Sequence, residues 1–526
     1  MKTTKKIILT SMACCFYASG LLAGGLLTNT NQSVHFLRNP ARDASTEIDA
    51  VYTNPAGLAN LSGDGFHFSL NNQSAFQTRT TTSTFEPFAL FGENATKEYK
   101  GTAKALVIPS LLAAYKTEKW VFSGSFAVVG GGGTLTFDKG LPSFEAMVAS
   151  QIAAPLTQLS QASQAFGGPS GGYSVDMRLK GSSITYGVQL GATYKINDMF
   201  SAFVGGRVNI VDNSYEGYLR NVQITGGLGD FFTGAANMAN VAASNLQPAV
   251  DGGFGNAPLS ALGLPAEQIA LMAAGLGMTA EQLGNLPVSQ VQNALSSAAA
   301  QAGGAAAGVS LLEAGASATD LQLNTKQTGL GVAPILGVNF NWNKLNVGVK
   351  YEFKTSLTLK NDTKVNTTPM PDFDNDFKTP YDIPALLTVG AQYAIIPSVK
   401  VSAGYHHFFD SGAKMADDKQ KYINGGISEY LFGAEWQIDP MFLVSAGGQV
   451  TRTGVTDPYQ ADMNFSLNSY SIGFGGAVNV SESVRINIAY FFTNYDDWSK
   501  TPGGGTTTDV FSRTNKVFGV GVDFRF

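Results

Sequence analysis

Residues 484–493 read Val-Arg-Ile-Asn-Ile-Ala-Tyr-Phe-Phe-Thr, and the last eleven, 516–526, read Lys-Val-Phe-Gly-Val-Gly-Val-Asp-Phe-Arg-Phe. In the first, Val484, Ile486, Ile488, Tyr490 and Phe492 alternate with Arg485, Asn487, Ala489, Phe491 and Thr493. In the second, Phe518, Val520, Val522, Phe524 and Phe526 alternate with Val517, Gly519, Gly521, Asp523 and Arg525. A period of two assigns alternate residues to the two faces of a β-sheet. One face here is greasy and the other small or polar, over about ten residues, which is the pattern of a strand with lipid on one side.

The same rhythm repeats outward from these two stretches. Leu345–Lys354 sets Leu345, Val347, Val349, Tyr351 and Phe353 against Asn346, Gly348, Lys350, Glu352 and Lys354. About fourteen such segments begin near Gly65, Leu106, Trp120, Ser183, Phe200, Leu323, Leu345, Pro384, Val399, Ile423, Met441, Ser466, Val484 and Arg513. Every second connection is a tight turn, such as Thr117-Glu118-Lys119, Asn197-Asp198 or Ile396-Pro397-Ser398. The others are long: 79–100, 138–172, 222–322, 361–383, 410–422, 454–465 and 496–512. Short turns on one side and long loops on the other mark an outer-membrane barrel, closed so that no backbone group faces lipid unpaired. The expected fold is all-β: a 14-stranded antiparallel transmembrane barrel over 63–526. Phe491, Phe492, Tyr495 and Trp436 are expected in its aromatic girdles.

Composition agrees. Charged residues are 14% of the 526, apolar ones 44%, with 60 Gly and a net charge of −5. A disordered chain needs more charge, a helical membrane bundle needs repeated apolar runs of roughly 20 residues, and a nucleic-acid protein needs a basic footprint. Residues 1–23 read as a secretory signal: Lys2, Lys5 and Lys6, an apolar stretch from Ile7, then small residues. Both cysteines, Cys14 and Cys15, lie within it. Its removal takes the net charge to −8.

Residues 24–62 lack the barrel rhythm. They hold Arg38-Asn39-Pro40-Ala41-Arg42-Asp43 and the turn device Asn54-Pro55-Ala56. A mixed apolar and polar segment of this length ahead of the first strand is expected to plug the barrel. The start Ala23-Gly24-Gly25, the stretch from Asp49 through Asn54-Pro55-Ala56-Gly57-Leu58, the strand count and the terminal Phe526 resemble the FadL/TodX type of outer-membrane transporters for long-chain fatty acids and hydrocarbons. The resemblance covers nearly the whole chain in architecture, but in residues only its beginning and end. It implies a hatch inside the barrel, capture of ligand by outer loops, an interior apolar pocket, and lateral release through a gap at a kinked third strand. It also implies a monomer, assembled by the barrel-insertion machinery through the strand ending at Phe526 and surrounded by outer-membrane lipid and lipopolysaccharide.

The third segment contains Gly130-Gly131-Gly132-Gly133. Glycine inside a strand weakens pairing and marks bulges, so this run is either the lateral-opening kink or a flexible hairpin shoulder. In the loops, Phe144, Met147 and Ile152 at helical spacing, and Leu271 and Met272 in a helix begun by Pro265, form a candidate capture surface. Further helices are expected from Thr279 and over Ser289–Ala300. Arg207, Lys350 and Arg485 point inward by strand parity. Each is a candidate to bind a ligand carboxylate, or equally a partner for interior acids such as Glu352, Glu435 or Asp523.

Nothing points to catalysis or a cofactor. There is no complete Gly-x-Ser-x-Gly elbow, Walker loop or Gly-x-Gly-x-x-Gly fingerprint. His406 and His407 face opposite sides of a strand and form no metal pair. Asp372, Asp374 and Asp376 imitate the start of a calcium loop without its later Gly and Glu. The leading reading is passive uptake of long-chain fatty acids or similar hydrophobic molecules. A general diffusion porin is the first alternative, and an outer-membrane lipid hydrolase or adhesin the second.

Overall fold

The computed structural model describes residues 27–92, 94–318, 320–501 and 507–526. The expected signal over 1–23 and the first residues of the segment 24–62 lie outside them.

Among the described residues, seventeen strands form one closed sheet. They are β1 (Gly65–Phe85), β2 (Thr96–Lys116), β3 (Trp120–Phe137), β4 (Gly172–Lys195), β5 (Phe200–Thr225), β6 (Leu321–Trp342), β7 (Leu345–Glu352), β8 (Thr358–Asn366), β9 (Lys378–Pro380), β10 (Leu386–Ile396), β11 (Val399–Phe408), β12 (Ser428–Gln437), β13 (Phe442–Arg452), β14 (Ser469–Ser481), β15 (Val484–Tyr495), β16 (Trp498–Lys500) and β17 (Thr507–Arg525). β7 and β8 both pair with β6, β9 continues β10, and β16 continues β15 along β17, so the seventeen make fourteen staves. β17 pairs with β1 from His67↔Arg525 to Phe85↔Thr507. Phe66 and Phe526 then exchange backbone hydrogen bonds, at 3.1 and 2.9 Å. The architecture is an outer-membrane β-barrel of the Gram-negative type.

The alternation decides which face meets lipid. Leu106, Leu330, Ile472, Ile488, Phe518 and Val520 are exposed on the outside. Residues of the opposite parity, such as Gln73, Gln189, Asn339, Asn487 and Asn515, are buried in the lumen. Trp120, Trp342 and Trp436 are exposed beside the short turns, as girdle residues are. Two expected girdle residues are not there. Phe491 is fully buried, its ring 6.2 Å from Phe36 in the lumen, and Tyr495 lies beneath Arg513. Both sit on the inward parity of β15, and that parity outweighs aromatic character.

The N-terminal segment fills the bore. It contains two short helices, α1 (Val34–Arg38) and α2 (Ala50–Thr53), then a 3₁₀ turn over Pro55–Asn60. From Asn29 to Ala59 it is almost wholly buried. Outside, α3 (Pro142–Gln164) follows β3, and α4 (Leu228–Ala249), α5 (Ala266–Gly275), α6 (Ala280–Gly284) and α7 (Val288–Ser317) form a cap between β5 and β6. Thr279 starts α6 with a capping box to Gln282. The second long helix, α7, runs well beyond the expected Ser289–Ala300, and α4 has no counterpart in the sequence expectation.

Candidate functional site: a plugged lumen with a break in its wall

The hatch is held by a turn device, missing side chains and ion pairs. Asn54 caps the 3₁₀ turn by accepting from the Ala56 N–H, and its amide donates to the Val338 carbonyl at 3.1 Å. The carbonyls of Pro55 and Ala56 accept from Thr193 and Ser201, both at 2.7 Å. Ala56 packs on Phe203 and Ile335. Glycine on the inner wall makes room for this. A Cβ on Gly348 would run into the Asp43 carbonyl oxygen, and one on Gly433 into the Asn39 side chain.

Three ion clusters tie hatch to wall. Arg38 donates to Glu435 at 2.5 Å and to Ser445 at 2.8 Å. Arg42 forks onto Asp49 at 2.7 and 2.8 Å and reaches Glu47 at 2.6 Å. Glu47 also accepts from Arg485 of the wall at 2.8 Å. In the second, the His406 imidazole of β11 bridges Asp43 of the hatch and Glu429 of β12, 2.8 Å from each. The third cluster is Glu352, bound bidentately by Arg207 at 2.8 and 3.0 Å and by Lys350 at 2.6 Å. Lys350 also donates to the Tyr52 carbonyl, and Arg207 lies over the Tyr52 ring. The three inward cations expected as ligand contacts therefore hold the protein's own carboxylates here: Glu352 for Arg207 and Lys350, Glu47 for Arg485. Charges this deep are stable only when paired and hydrogen-bonded.

The wall itself is interrupted. β2 and β3 pair from Gly101↔Phe137 to Ala103↔Leu135, and again from Ser110↔Ala127 to Lys116↔Val121, with no ladder between. β3 is bulged there, because the register against β4 slips at Val129 and again at Gly132. Gly131 adopts φ +66° and a Cβ on it would collide with the Ser183 carbonyl. β2 bulges at the same height, where Leu106 and Val107 intervene between the pairs Gln73↔Ile108 and Ala75↔Ala105. The glycine run thus lies within a strand that continues to Phe137, so a hairpin shoulder is not what it makes.

The leading end of the hatch sits at this break. Asn29 donates its backbone N–H to the Val129 carbonyl at 2.7 Å and its amide to the Gly131 carbonyl at 3.1 Å. The Asn29 carbonyl accepts from Tyr52 and Gln32, both at 3.0 Å. An apolar cluster leads here from the outer loops. It includes Leu141, Phe137 and Leu135, then Ile108 and Val128 beside the break, and Phe36 and Leu37 of the hatch.

The loop residues expected as a capture surface divide into two groups. Phe144 and Met147 pack on the top of that cluster, while Ile152 lies on the buried face of α3 with Val148 and Ala149, clustered with Tyr173, so it is core and not surface. Leu271 and Met272 line a separate cavity of about 330 Å³ in the cap, with Phe166, Phe231, Phe232 and Met238. Of the acidic triplet, Asp374 accepts from Asn366 and Asp376 pairs with Lys360.

At the outer rim, Asp410 is fully buried. One carboxylate oxygen accepts from the Ile427 N–H at 2.9 Å. Burial, with a smaller push from Glu429, raises its pKa to about 7 against the pull of the backbone N–H groups.

The sequence reading did not anticipate the bridges made by Asp43, His406 and Glu429. Their signal was a charged run, Arg38 to Asp49, in a chain otherwise poor in charge.

No protein-family model and no curated protein matches the chain. Its structure superposes on the crystal structure of a Pseudomonas aeruginosa FadL homologue with a TM-score of 0.58 at 12% identity, covering 95% of this chain and 99% of that one. The P. putida toluene transporter TodX matches at 14% identity with a TM-score of 0.49, over 92% of this chain and 96% of that one. The chain has the fold of that FadL homologue: a fourteen-staved barrel with its N-terminal segment inside and helical insertions outside.

Proposed function

We propose that this protein is a passive, non-enzymatic outer-membrane channel for apolar molecules, long-chain fatty acids or compounds of similar character. Cargo enters through the apolar outer loops and leaves sideways into the membrane through the break between β2 and β3. The observation that carries this reading is the coincidence of three features at one height. They are the unpaired stretch of wall, the apolar cluster leading to it, and the hatch residue Asn29 hydrogen-bonded into it. A solute that partitions into hydrocarbon gains free energy, about 25 cal/mol per Å² of apolar surface, by leaving through a side opening and avoiding an aqueous bore. The cap cavity beside Leu271 and Met272 fits a flexible apolar ligand, since thioether and leucyl side chains adapt to many shapes.

The diffusion-porin reading needs an open bore, and the buried hatch counts against it. Deleting the two β3 bulge residues, Val129 and Gly132, together with Val107 of the β2 bulge would make the registers of β3 against both neighbours regular and close the break. Uptake of a radiolabelled fatty acid or aromatic hydrocarbon into cells should then fall at least tenfold, with the barrel still resistant to unfolding in cold SDS. Undiminished uptake by a folded barrel would refute lateral release.

A further inference from the structure

The outer wall of the barrel carries a row of lysines on its lipid side. Phe76 of β1 lies opposite Lys516 of β17 and opposite Lys104 of β2, so the three occupy one row of adjacent strands. All three point outward. Phe76 shares the parity of Phe66 and Leu70, and Lys516 that of Phe518 and Val520, all of them exposed on the outer wall. Lys104 is exposed between two inward neighbours of its parity set, and Lys516 is exposed likewise. The next row up is Thr514, Thr78 and Thr102, and in the row above that Thr80 faces Lys100.

The height of this row follows from the strand. Phe66 stacks on Phe68 and meets Tyr115 in the aromatic girdle beside the short turns. Phe76 stands ten residues further along β1, roughly 33 Å of strand and about 25 Å of height at the usual tilt. That is the thickness of the apolar band of such barrels, so Lys104 and Lys516 stand where acyl chains give way to head groups. Below them the wall is greasy, with Leu106, Phe518 and Val520 exposed. Above the girdle the outward faces of β17, β1 and β2 carry Lys100, Lys104 and Lys516 against one acid, Glu98. Among the described residues, none of these three ammonium groups has an ion pair or a hydrogen bond. Arg220 and Lys360, outward on β5 and β8, differ in this: Asp176 and Asp376 pair with them at 2.9 and 2.7 Å.

We propose that Lys104 and Lys516 form a docking site for a lipid of the outer leaflet whose head group carries phosphate. Their Cα atoms are two strand spacings apart, about 10 Å, so both ammonium groups reach one phosphate between them while their alkyl stems lie along Phe76. The hydroxyls of Thr78, Thr102 and Thr514 line the head-group side, and the acyl chains run down over Phe518 and Leu106. An ammonium group at this boundary without a protein carboxylate gains from an anionic head group, and compact lysine charges suit phosphate. Lys104 is also the first residue of β2 past the ladder pair Ala103↔Leu135, which places the lipid against the upper lip of the wall break. The site is independent of what passes through the barrel.

The test is native mass spectrometry of the full-length protein in dodecyl maltoside, with diphosphoryl lipid A and with the same lipid stripped of both phosphates. Wild type should hold the phosphorylated lipid about tenfold more tightly than the stripped one, as two lysines at an anionic lipid surface should. Lys104→Gln combined with Lys516→Gln should abolish that preference and leave binding of the stripped lipid as in wild type. Lys326→Gln combined with Lys364→Gln removes the same charge from β6 and β8 and should bind as wild type does. Cold SDS mobility establishes that each variant is a folded barrel. Equal binding of the two lipids by wild type, or an undiminished preference in the first double variant, overturns the site. An equal loss in the second double variant also overturns it, because net charge alone would then explain the effect. Inorganic phosphate displacing the lipid at equal concentration would assign these lysines to free anions and overturn the lipid assignment. None of these outcomes touches the channel reading, which uptake of apolar cargo tests by itself.

Discussion

The backbone N–H of Asn29 points at the carbonyl of Val129, 2.7 Å away, where β3 has lost its ladder to β2. A strand interrupted in this way leaves carbonyls that lipid cannot satisfy, and the hatch supplies the missing donors. Hatch and wall break are therefore coupled: the interruption is tolerable because the chain's own leading segment closes its hydrogen bonds. Asn29→Ala removes the amide bond to Gly131 and keeps the backbone bond. It should loosen the leading end by about 1 kcal/mol. Hydrogen exchange of residues 29–32 should speed up several-fold, with exchange of β14 and β15 unaltered. Equal protection in both proteins would mean that the hatch is fixed from elsewhere.

At Gly348 the hatch backbone abuts the wall, and a Cβ there would collide with the Asp43 carbonyl oxygen and stand 2.5 Å from the Asn54 amide. Backbone cannot retreat as a flexible side chain can, so Gly348→Ala should cost about 1–3 kcal/mol by overpacking. Gly206 serves as control: the nearest atom to a Cβ there is the Ala333 carbonyl oxygen, at 3.4 Å. Thermal unfolding followed by tryptophan fluorescence should show a lower midpoint for Gly348→Ala than for Gly206→Ala. Equal midpoints would contradict the tight seating of the hatch.

His406 joins two carboxylates from different parts of the chain, Asp43 and Glu429. His406→Ala would leave both buried without the hydrogen-bonding imidazole between them. Removing one partner of a buried ionic contact costs about 3–5 kcal/mol. That exceeds the worth of any single neutral hydrogen bond in the hatch, so the plug should disengage on that side. In planar bilayers the wild-type protein should be nearly silent and His406→Ala should show frequent conducting events. A large, steady conductance from wild type would instead fit the diffusion porin.

The barrel was legible because lipid and lumen impose opposite demands on neighbouring residues. Phe518 and Val520 against Gly519 and Gly521 can be read without any partner strand. Strand direction was legible for the same reason, which is why Arg207, Lys350 and Arg485 were correctly placed inside. What they touch was legible only where the partner lies on the same face of the same strand, as Glu352 does two residues from Lys350. Arg38 and Glu435 are 397 residues apart, and spacing along a chain carries no trace of such a contact. The glycine run admitted two readings, since a bulge and a hairpin shoulder draw on the same freedom of φ. The difference lies in the pairing of β3 with β4, a property of two strands. Helix α4 gives a weak helical signal because Gly229 and Gly234 interrupt a stretch half of whose apolar residues are Ala, and small residues give weak periodicity.

Asp410 gives the outer rim a dependence on pH. Its pKa in the folded protein is raised to about 7 by burial, above the unfolded carboxylate value near 3.9. Between those limits the folded state holds a proton that the unfolded state has released. Stability of the segment around Asp410 is therefore greatest at low pH, falls as pH rises through the interval, and levels off above about 7. The carboxylate accepts from the Ile427 N–H, and Ile427 packs with Leu386, Phe408 and Tyr459, so ionisation should loosen this apolar corner of the outer loops. Hydrogen exchange across residues 409–427, corrected for the intrinsic dependence of exchange on pH, should be faster at pH 8 than at pH 5. Asp410→Asn keeps an oxygen for the Ile427 bond but cannot ionise, so it should flatten that dependence and protect the segment at pH 8. A wild-type profile without slope between pH 5 and 8, or one that Asp410→Asn leaves unaltered, would assign the rim's stability to other groups.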